Sequence, residues 1–573
     1  MDLAAPAQPS TAQPAVLTPL DWYLADQRDL SAAERFARRH DGHELPAQAR
    51  YYRDLIPLER PGPGQQYAFE VDLDACTGCK ACVTACHALN GLDDGESWRR
   101  VSSVRLGTAE PVPQTVTTAC HHCVDPACLA GCPVNAYEKD PVTGIVAHLD
   151  DQCIGCRYCL LTCPYEVPRY NPERGIVRKC DLCADRLGAG EAPACVQSCP
   201  NAAIRISLVD IHDAQAAAVG GQALFPGAPP SSITLPTTTY RTRRDARPAA
   251  PSHPGGGRGT ESVPVPPPER AGDPRPGQAH PPLTVMLVLT QAAVGASVVG
   301  LGARAVVGGA VAEALRPLAA LVALAVGVLA LGASVLHLGR PAYAFRAVLG
   351  IRRSWLSREI VAFVVFAVLA AGHGWAVLAG AGGVEPVLGG LAAGAGVVGV
   401  ACSAQVYAVT RRRWWALRST GPKFALTALA TGSAGVLAIS VAATLIAGEG
   451  PAERAGLASG RPLGVLVAAS VVAKLVWEAA FLRHLRTGAP GELRRSAQLL
   501  VGALATSTRW RAALAGAGTV SALVVALVAG SAGPVAVLVL AVACVVTVLG
   551  GELVERWQFF TAAAPPRTSP GPG

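Results

Sequence analysis

Two textures divide the chain. From residue 283 onward it is almost unbroken Ala, Val, Leu and Gly. Eight stretches there, 283–303, 318–338, 360–380, 387–410, 424–447, 463–482, 513–532 and 534–555, reach the ~20 residues that a bilayer core requires. A soluble bundle would show polar faces at helical spacing, and these spans show none. Residues 282–560 are therefore expected to form an all-α polytopic membrane domain of eight transmembrane helices. Ahead of it the pattern is polar, with short runs that alternate as strands do: Gln66–Asp72, Ile145–Leu149 and Ala203–Leu208. These runs flank cysteine-rich loops and predict a small α+β unit in two copies over residues 67–212. Residues 213–281 are dense in Pro, Gly, Ser and Arg, including Pro254–Gly257 and Pro264–Pro268, and read as an extended linker that cannot bury enough apolar surface to fold. Residues 1–66 form an N-terminal extension, low in complexity over 1–20, in which Ser31–Arg39 is a short capped surface helix; residues 561–573 are a disordered tail.

The stretch from Cys76 to Cys199 holds sixteen of the eighteen cysteines. They fall into four groups: Cys76, Cys79, Cys82 and Cys86; Cys120, Cys123, Cys128 and Cys132; Cys153, Cys156, Cys159 and Cys163; and Cys180, Cys183, Cys195 and Cys199. The first and third groups have spacers of two, two and three residues, the bacterial ferredoxin run in which three thiolates hold one cubane and the fourth reaches its partner. Sixteen thiolates at four per cluster make four [4Fe–4S] centres, carried by a doubled bacterial-ferredoxin domain. A disulfide framework belongs to small secreted domains, and this long chain shows no secretory signal. Zinc sites favour two separated Cys pairs, a pattern that only the fourth group approaches.

Charge adds topology. The net charge is +8, but much of the arginine lies in loops between apolar spans, so nucleic-acid binding is not expected. The loop after the second span carries Arg340, Arg346, Arg352, Arg353 and Arg358; the loop after the fourth carries Arg411, Arg412, Arg413, Arg418 and Lys423; the loop after the sixth carries Arg483, Arg486, Arg494, Arg495, Arg509 and Arg511. The opposite loops offer Arg304, Arg316, Arg454 and Arg461. The positive-inside rule then puts the cluster domain and both termini on the cytoplasmic side of a bacterial inner membrane, in agreement with the lack of an export signal.

With both halves read, a resemblance can be given. Cys153–Cys159 (CIGCRYC), Cys163–Tyr165 (CPY) and Arg178–Cys183 (RKCDLC) resemble the four-cluster iron–sulfur subunit of the dimethyl sulfoxide reductase family of molybdoenzymes. His337–Pro341 (HLGRP), Ser354–Glu359 (SWLSRE) and Gly551–Arg556 (GELVER) resemble that family's eight-helix anchor, usually a separate chain. The resemblance implies four ligand sets: Cys76, Cys79, Cys82 and Cys199; Cys86, Cys180, Cys183 and Cys195; Cys120, Cys123, Cys128 and Cys163; Cys132, Cys153, Cys156 and Cys159. It also implies a wire whose first cluster faces a catalytic partner and whose last faces the membrane. His337 and Glu359 are ionisable residues at the ends of the second and third spans. They are the candidates for binding menaquinol or ubiquinol and taking its protons, and the resemblance implies the same pair. Lys474 and Glu478, four apart, read as an internal ion pair; His373, Glu552 and Arg556 are weaker candidates for the site. Tyr407, Trp414 and Trp415 read as an interfacial belt, and Cys402 and Cys544 as apolar packers.

The expected function is an electron-transfer and membrane-anchor subunit, without a catalytic site of its own. It oxidises quinol from the membrane pool and passes electrons through four clusters to a separate cytoplasmic molybdopterin-containing reductase. The alternative is reverse flow, from a molybdopterin dehydrogenase to quinone; a second is a ferredoxin-type redox sensor or a regulated transporter.

Overall fold

The computed structural model describes residues 49–106, 112–220, 223–225, 228–243, 276–306, 309–447, 459–486 and 491–563, with residues 18–22, 31, 34, 42 and 457. Most of the N-terminal extension, the centre of the Pro-rich linker and the tail from 564 lie outside these residues. Of the expected Ser31–Arg39 helix, only the start is described: the Ser31 amide donates to Glu34 Oε2 at 2.7 Å and the Glu34 amide to Ser31 Oγ at 3.2 Å, the reciprocal bonds of a capping box.

Strand β1 (Gln65–Asp72) pairs antiparallel along its length with β8 (Ile204–Asp210), so the first and last segments of the cluster domain close on each other. Its buried face carries Tyr67, Phe69 and Val71. Between them the chain makes three antiparallel hairpins, β2 (Arg100–Leu106) with β3 (Val112–Thr118), β4 (Tyr137–Lys139) with β5 (Val146–His148), and β6 (Arg169–Asn171) with β7 (Ile176–Arg178). Short helices follow the cysteine loops: α1 (Ala81–Leu89), α2 (Ala127–Gly131), α3 (Tyr158–Thr162), α4 (Ala184–Gly188) and α5 (Ala194–Gln197).

The domain is larger than its expected limits of 67 and 212. Tyr52 is buried in its core and Arg53 Nη1 donates to Gly190 O at 3.3 Å. Beyond β8, helix α6 (Ile211–Val219) is capped by Asp210, and β9 (Thr239–Arg241) lies parallel to β1. The stretch expected to be linker has no apolar periodicity to announce this. It is held instead by hydroxyls that satisfy buried carbonyls: Thr237 Oγ1 donates to His121 O at 2.9 Å, and Tyr240 OH to Thr117 O at 3.2 Å.

Among the described residues eight helices are long and apolar enough to cross a membrane: α7 (Pro281–Val306), α8 (Gly309–Val335), α9 (Trp355–Leu378), α10 (Glu385–Ala408), α11 (Leu417–Ala447), α12 (Gly460–Phe481), α14 (Ala505–Val528) and α15 (Pro534–Thr561). An additional amphipathic helix, α13 (Gly491–Val501), precedes α14. Small residues let the helices approach closely: a Cβ on Gly295 would lie 1.8 Å from Ala428 O, where α7 crosses α11.

Several helices begin earlier than the apolar runs suggest, and this corrects the loop-charge count. Arg418, Lys423, Arg509 and Arg511 belong to α11 and α14, and Arg358 to α9. The cause is pairing, since Lys423 and Arg511 are buried against carboxylates of neighbouring helices. Tyr407, Trp414 and Trp415, expected as an interfacial belt, face the protein interior. All three are buried against Phe559 and Phe560 at the end of α15, and both indole N–H groups donate to Phe559 O at 2.9 Å. Cys402 and Cys544 are buried, as expected of packers.

Candidate functional site

The first and third cysteine loops share one backbone. Gly78 and Gly155 stand at φ 77 and 68, and Lys80 and Arg157 at φ 63 and 60. The left-handed turns wind each loop round so that its three thiolates converge, and the helix that follows carries the fourth cysteine away. Backbone amides point at the sulfurs: Ala136 N to Cys132 at 3.2 Å, Gly155 N to Cys153 at 3.4 Å, Leu182 N to Cys180 at 3.4 Å and Ala203 N to Cys199 at 3.3 Å. Such donors favour thiolate over thiol.

The fold brings together cysteines that lie far apart in the chain. Cys76, Cys79, Cys82 and Cys199 line one cavity, and Cys120, Cys123, Cys128 and Cys163 another. Cys86 faces Cys195 and Cys183, and Cys180 faces Cys120 as well as Cys86 and Cys195. Cys159 faces Cys156, Cys153 and Cys132. Burial raises most of these thiols, Cys86 to about 12, so thiolates here call for a compensating positive core. Among the described residues no three His, Cys, Asp or Glu side chains close on a point as ligands of one ion do. A cubane, with irons and sulfides between the thiolates, fits the wider spacing and the convergent amides. Thr234, from the stretch expected to be linker, puts its Oγ1 3.3 Å from Cys123 Sγ. Of all eighteen cysteines only Cys79 is exposed.

The opposite pole sits on the membrane domain. Arginines read as topology signals turn out to clamp the cluster domain: Arg340 Nη1 donates to Asp150 O at 2.8 Å, Arg346 Nη1 to Asp151 O at 3.0 Å, and Arg353 Nη2 to Asn135 Oδ1 at 3.0 Å. Backbone bonds join the same surfaces, from Arg340 N to Ile154 O (3.1 Å) and from Gly350 N to Pro133 O (2.8 Å). Ser354 Oγ donates to Gly131 O at 2.7 Å.

This docking presses the third cysteine loop against the expected quinol residues. Glu359, one turn inside α9, is buried and accepts a hydrogen bond from Ser403 of α10. Beside it, Tyr158 of the cysteine loop donates to Val406 O at 2.6 Å. His337 lies in the turn after α8, not inside a helix, near Arg157 and His280. Burial, reinforced by the Arg157 charge, pushes its pKa down to about 4 although the Ser334 backbone opposes the shift, and its Nδ1 has no hydrogen-bond partner. His337 and Glu359 therefore face adjacent residues, Arg157 and Tyr158, of one loop. An apolar cavity of about 700 Å³ is lined by Trp355, Cys402, Gln405 and aliphatic residues of α7, α10 and α11. Sequence reasoning gave no role to Ser403, Gln405 or Trp355; a hydroxyl and an amide in an otherwise apolar span are the signal available for the first two.

The Lys474–Glu478 pair is a minor part of a larger network. Its Nζ–Oε1 distance is 3.9 Å, whereas Lys474 contacts Glu552 closely, Glu555 at 3.1 Å and Thr427 Oγ1 at 2.6 Å. Arg511 joins Glu478 (3.1 Å) to Glu552 (2.9 Å), and Arg556 bonds Gln291 Oε1 at 3.0 Å. Helices α7, α11, α12, α14 and α15 are thus tied together by residues the sequence scattered over 266 positions from Gln291 to Arg556. His373 lies elsewhere, with its Nδ1 3.1 Å from Glu385 O.

Comparison with known proteins agrees with both halves. Residues 276–561 match the DMSO reductase anchor subunit family (DmsC), and residues 113–208 match the 4Fe-4S dicluster domain family. A subunit of the anaerobic dimethyl sulfoxide reductase of Haemophilus influenzae is 34% identical over 193 residues, 32% of this chain and 92% of that protein. The thiosulfate reductase electron transfer subunit PhsB of Salmonella typhi is 38% identical over 154 residues, 26% of this chain and 80% of that protein. The formate dehydrogenase-O iron-sulfur subunit of Escherichia coli is 36% identical over 157 residues, 24% of this chain and 52% of that protein. A cysteine-rich ferredoxin-type domain docked on eight apolar helices, with these matches, makes this multi-pass membrane protein a member of the dimethyl sulfoxide reductase family, an iron–sulfur electron-transfer subunit continuous with a DmsC-type anchor.

Proposed function

We propose that the chain oxidises membrane quinol beside Glu359 and His337 and delivers the electrons, through four [4Fe–4S] clusters, to a separate molybdopterin-containing reductase on the cytoplasmic side. The observation that carries this reading is the Tyr158 contact, which joins the loop of Cys153, Cys156 and Cys159 to the helix surface beside Glu359. The exposed Cys79, of another set, then offers the exit. The ligand sets are Cys76, Cys79, Cys82 and Cys199; Cys86, Cys180, Cys183 and Cys195; Cys120, Cys123, Cys128 and Cys163; Cys132, Cys153, Cys156 and Cys159. The clusters, when bound, carry single electrons.

The chain's own residues do the rest. Oxidation of one quinol releases two electrons and two protons. The buried Glu359 carboxylate is the acceptor suited to those protons, with the neutral His337 imidazole as a hydrogen-bonding partner for the quinol, and the cavity lined by Trp355 and Gln405 has the apolar walls an isoprenoid quinol needs. Arg340, Arg346 and Arg353 hold the cluster domain in register with this site. Quinol oxidation and acceptor reduction on one side build no charge gradient by themselves.

Gentle solubilisation, purification, and assay of iron, molybdenum and companion proteins tests the assembly. About sixteen irons per chain with a large molybdenum-carrying companion supports it; a chain that arrives alone without molybdenum refutes it. Anaerobic addition of quinol with EPR detection of cluster reduction then tests the direction, and a pH probe inside vesicles tests the sidedness.

A further inference from the structure

Two cations are buried in the cluster domain where charge has no ordinary reason to be. Arg99 is 2% exposed and Lys179 3% exposed. Neither forms an ion pair with a carboxylate among the described residues, and an unpaired buried charge is strongly unfavourable. Both sit at junctions between cysteine sets. Arg99 Nη1 donates to Thr117 Oγ1 at 3.2 Å, and that hydroxyl lies 3.7 Å from Cys82 Sγ of the first set. The same guanidinium faces Cys195 of the second set and stacks on Phe69 at 4.5 Å, while its Nη2 is buried without a partner. Lys179 lines the cavity of Cys120, Cys123, Cys128 and Cys163, and precedes Cys180 of the second set; its Nζ donates to Val146 O and to Cys180 O, the latter at 2.8 Å. The junction between the third and fourth sets has a neutral group, the buried Tyr137 hydroxyl, facing Cys159 and Cys128.

We propose that Arg99 and Lys179 are the fixed counter-cations of the wire, Arg99 shared by the first and second clusters and Lys179 by the second and third, and that they hold the potentials of those clusters up. This rests on the four-cluster reading. A 4Fe–4S core with four thiolates carries net negative charge, and one added electron makes it one unit more negative. A fixed cation in low dielectric therefore stabilises the reduced form, and net charge is one of the protein's levers on cluster potential.

The test is an EPR-monitored redox titration of the intact complex carrying Arg99→Gln, Arg99→Lys or Lys179→Gln, with iron counted in each. Wild-type iron near sixteen per chain checks the four-cluster reading separately. Arg99→Gln should lower two of the four midpoint potentials, and Arg99→Lys should leave them near wild type. Lys179→Gln should also lower two, sharing one cluster with the Arg99 pair, so that one cluster moves in neither variant. Unmoved potentials at full iron, a uniform shift of all four, or an Arg99→Lys shift as large as that of Arg99→Gln overturns the proposal. Iron lost in Arg99→Gln but kept in Arg99→Lys supports it, because charge alone separates the two; iron lost equally in both overturns it.

Discussion

The contact between the cluster domain and the membrane domain brings Gly339 against Gly155 and Gly175, and Gly339→Ala is the substitution that probes it. A Cβ at Gly339 would stand 2.0 Å from Gly175 O, 2.5 Å from its carbonyl carbon and 2.8 Å from its Cα. Ordinary van der Waals contact begins at 3.4 Å, so one surface must retreat by well over an ångström. No flexible side chain can absorb this, because the opposing atoms are backbone. Gly339 itself does not have positive φ, so alanine is otherwise acceptable there and the effect is steric. Overpacking of this kind costs about 1–3 kcal/mol, which corresponds to a rise of roughly 5- to 160-fold in the population of the locally opened interface. Hydrogen exchange reads it directly, because the Arg340 and Gly350 amides donate across the interface to Ile154 and Pro133. Their exchange should accelerate by that factor, and quinol-driven cluster reduction should slow. The control is Gly332→Ala in α8, where an added Cβ meets nothing within 4 Å. Wild-type exchange at Arg340 and Gly350 in Gly339→Ala would refute the docked arrangement.

Glu552→Gln, which leaves Lys474 and Arg511 short of a fully buried partner, should destabilise the anchor by about 3–5 kcal/mol; thermal unfolding in detergent measures it, and an unchanged midpoint would show the network to be dispensable. Glu359→Gln should reduce quinol oxidation by about 10²–10⁴-fold while dithionite still reduces every cluster; equal rates with quinol would remove Glu359 from proton transfer. His337 has a folded pKa near 4, below its ordinary 6.5. The unfolded chain therefore takes up the proton first as pH falls, so the stability tied to the neutral, buried ring is whole above about 6.5 and lost on descent towards 4. The thermal midpoint should fall further between pH 7 and pH 5 in the wild type than in His337→Asn, and parallel curves would contradict this.

Much of the molecule was legible because its signals are local. A cysteine ladder dictates its own chemistry by spacing, and the eight spans announce themselves because hydrocarbon requires continuous apolar length. Strands β1, β5 and β8 showed period-two alternation and lie within a residue or two of where it placed them. Hidden elements were those held by tertiary hydrogen bonds. The run Thr234–Arg241 looks like linker because its value lies in hydroxyls aimed at cysteine loops about 110 residues earlier. Lys423 and Arg511 looked like loop charges because a cation at the end of an apolar run reads as a boundary, and only a carboxylate on another helix makes it interior.

By itself the sequence determined the two-part architecture, the cysteines available to clusters, and the membrane character of the second half, because each follows from composition or short-range spacing. Only the tertiary structure decided which charges pair inside the anchor, and how Arg157 and Tyr158 come to face His337 and Glu359. Those are contacts between residues far apart in the chain. Their energies depend on burial and geometry, which exist only once the chain has folded back on itself.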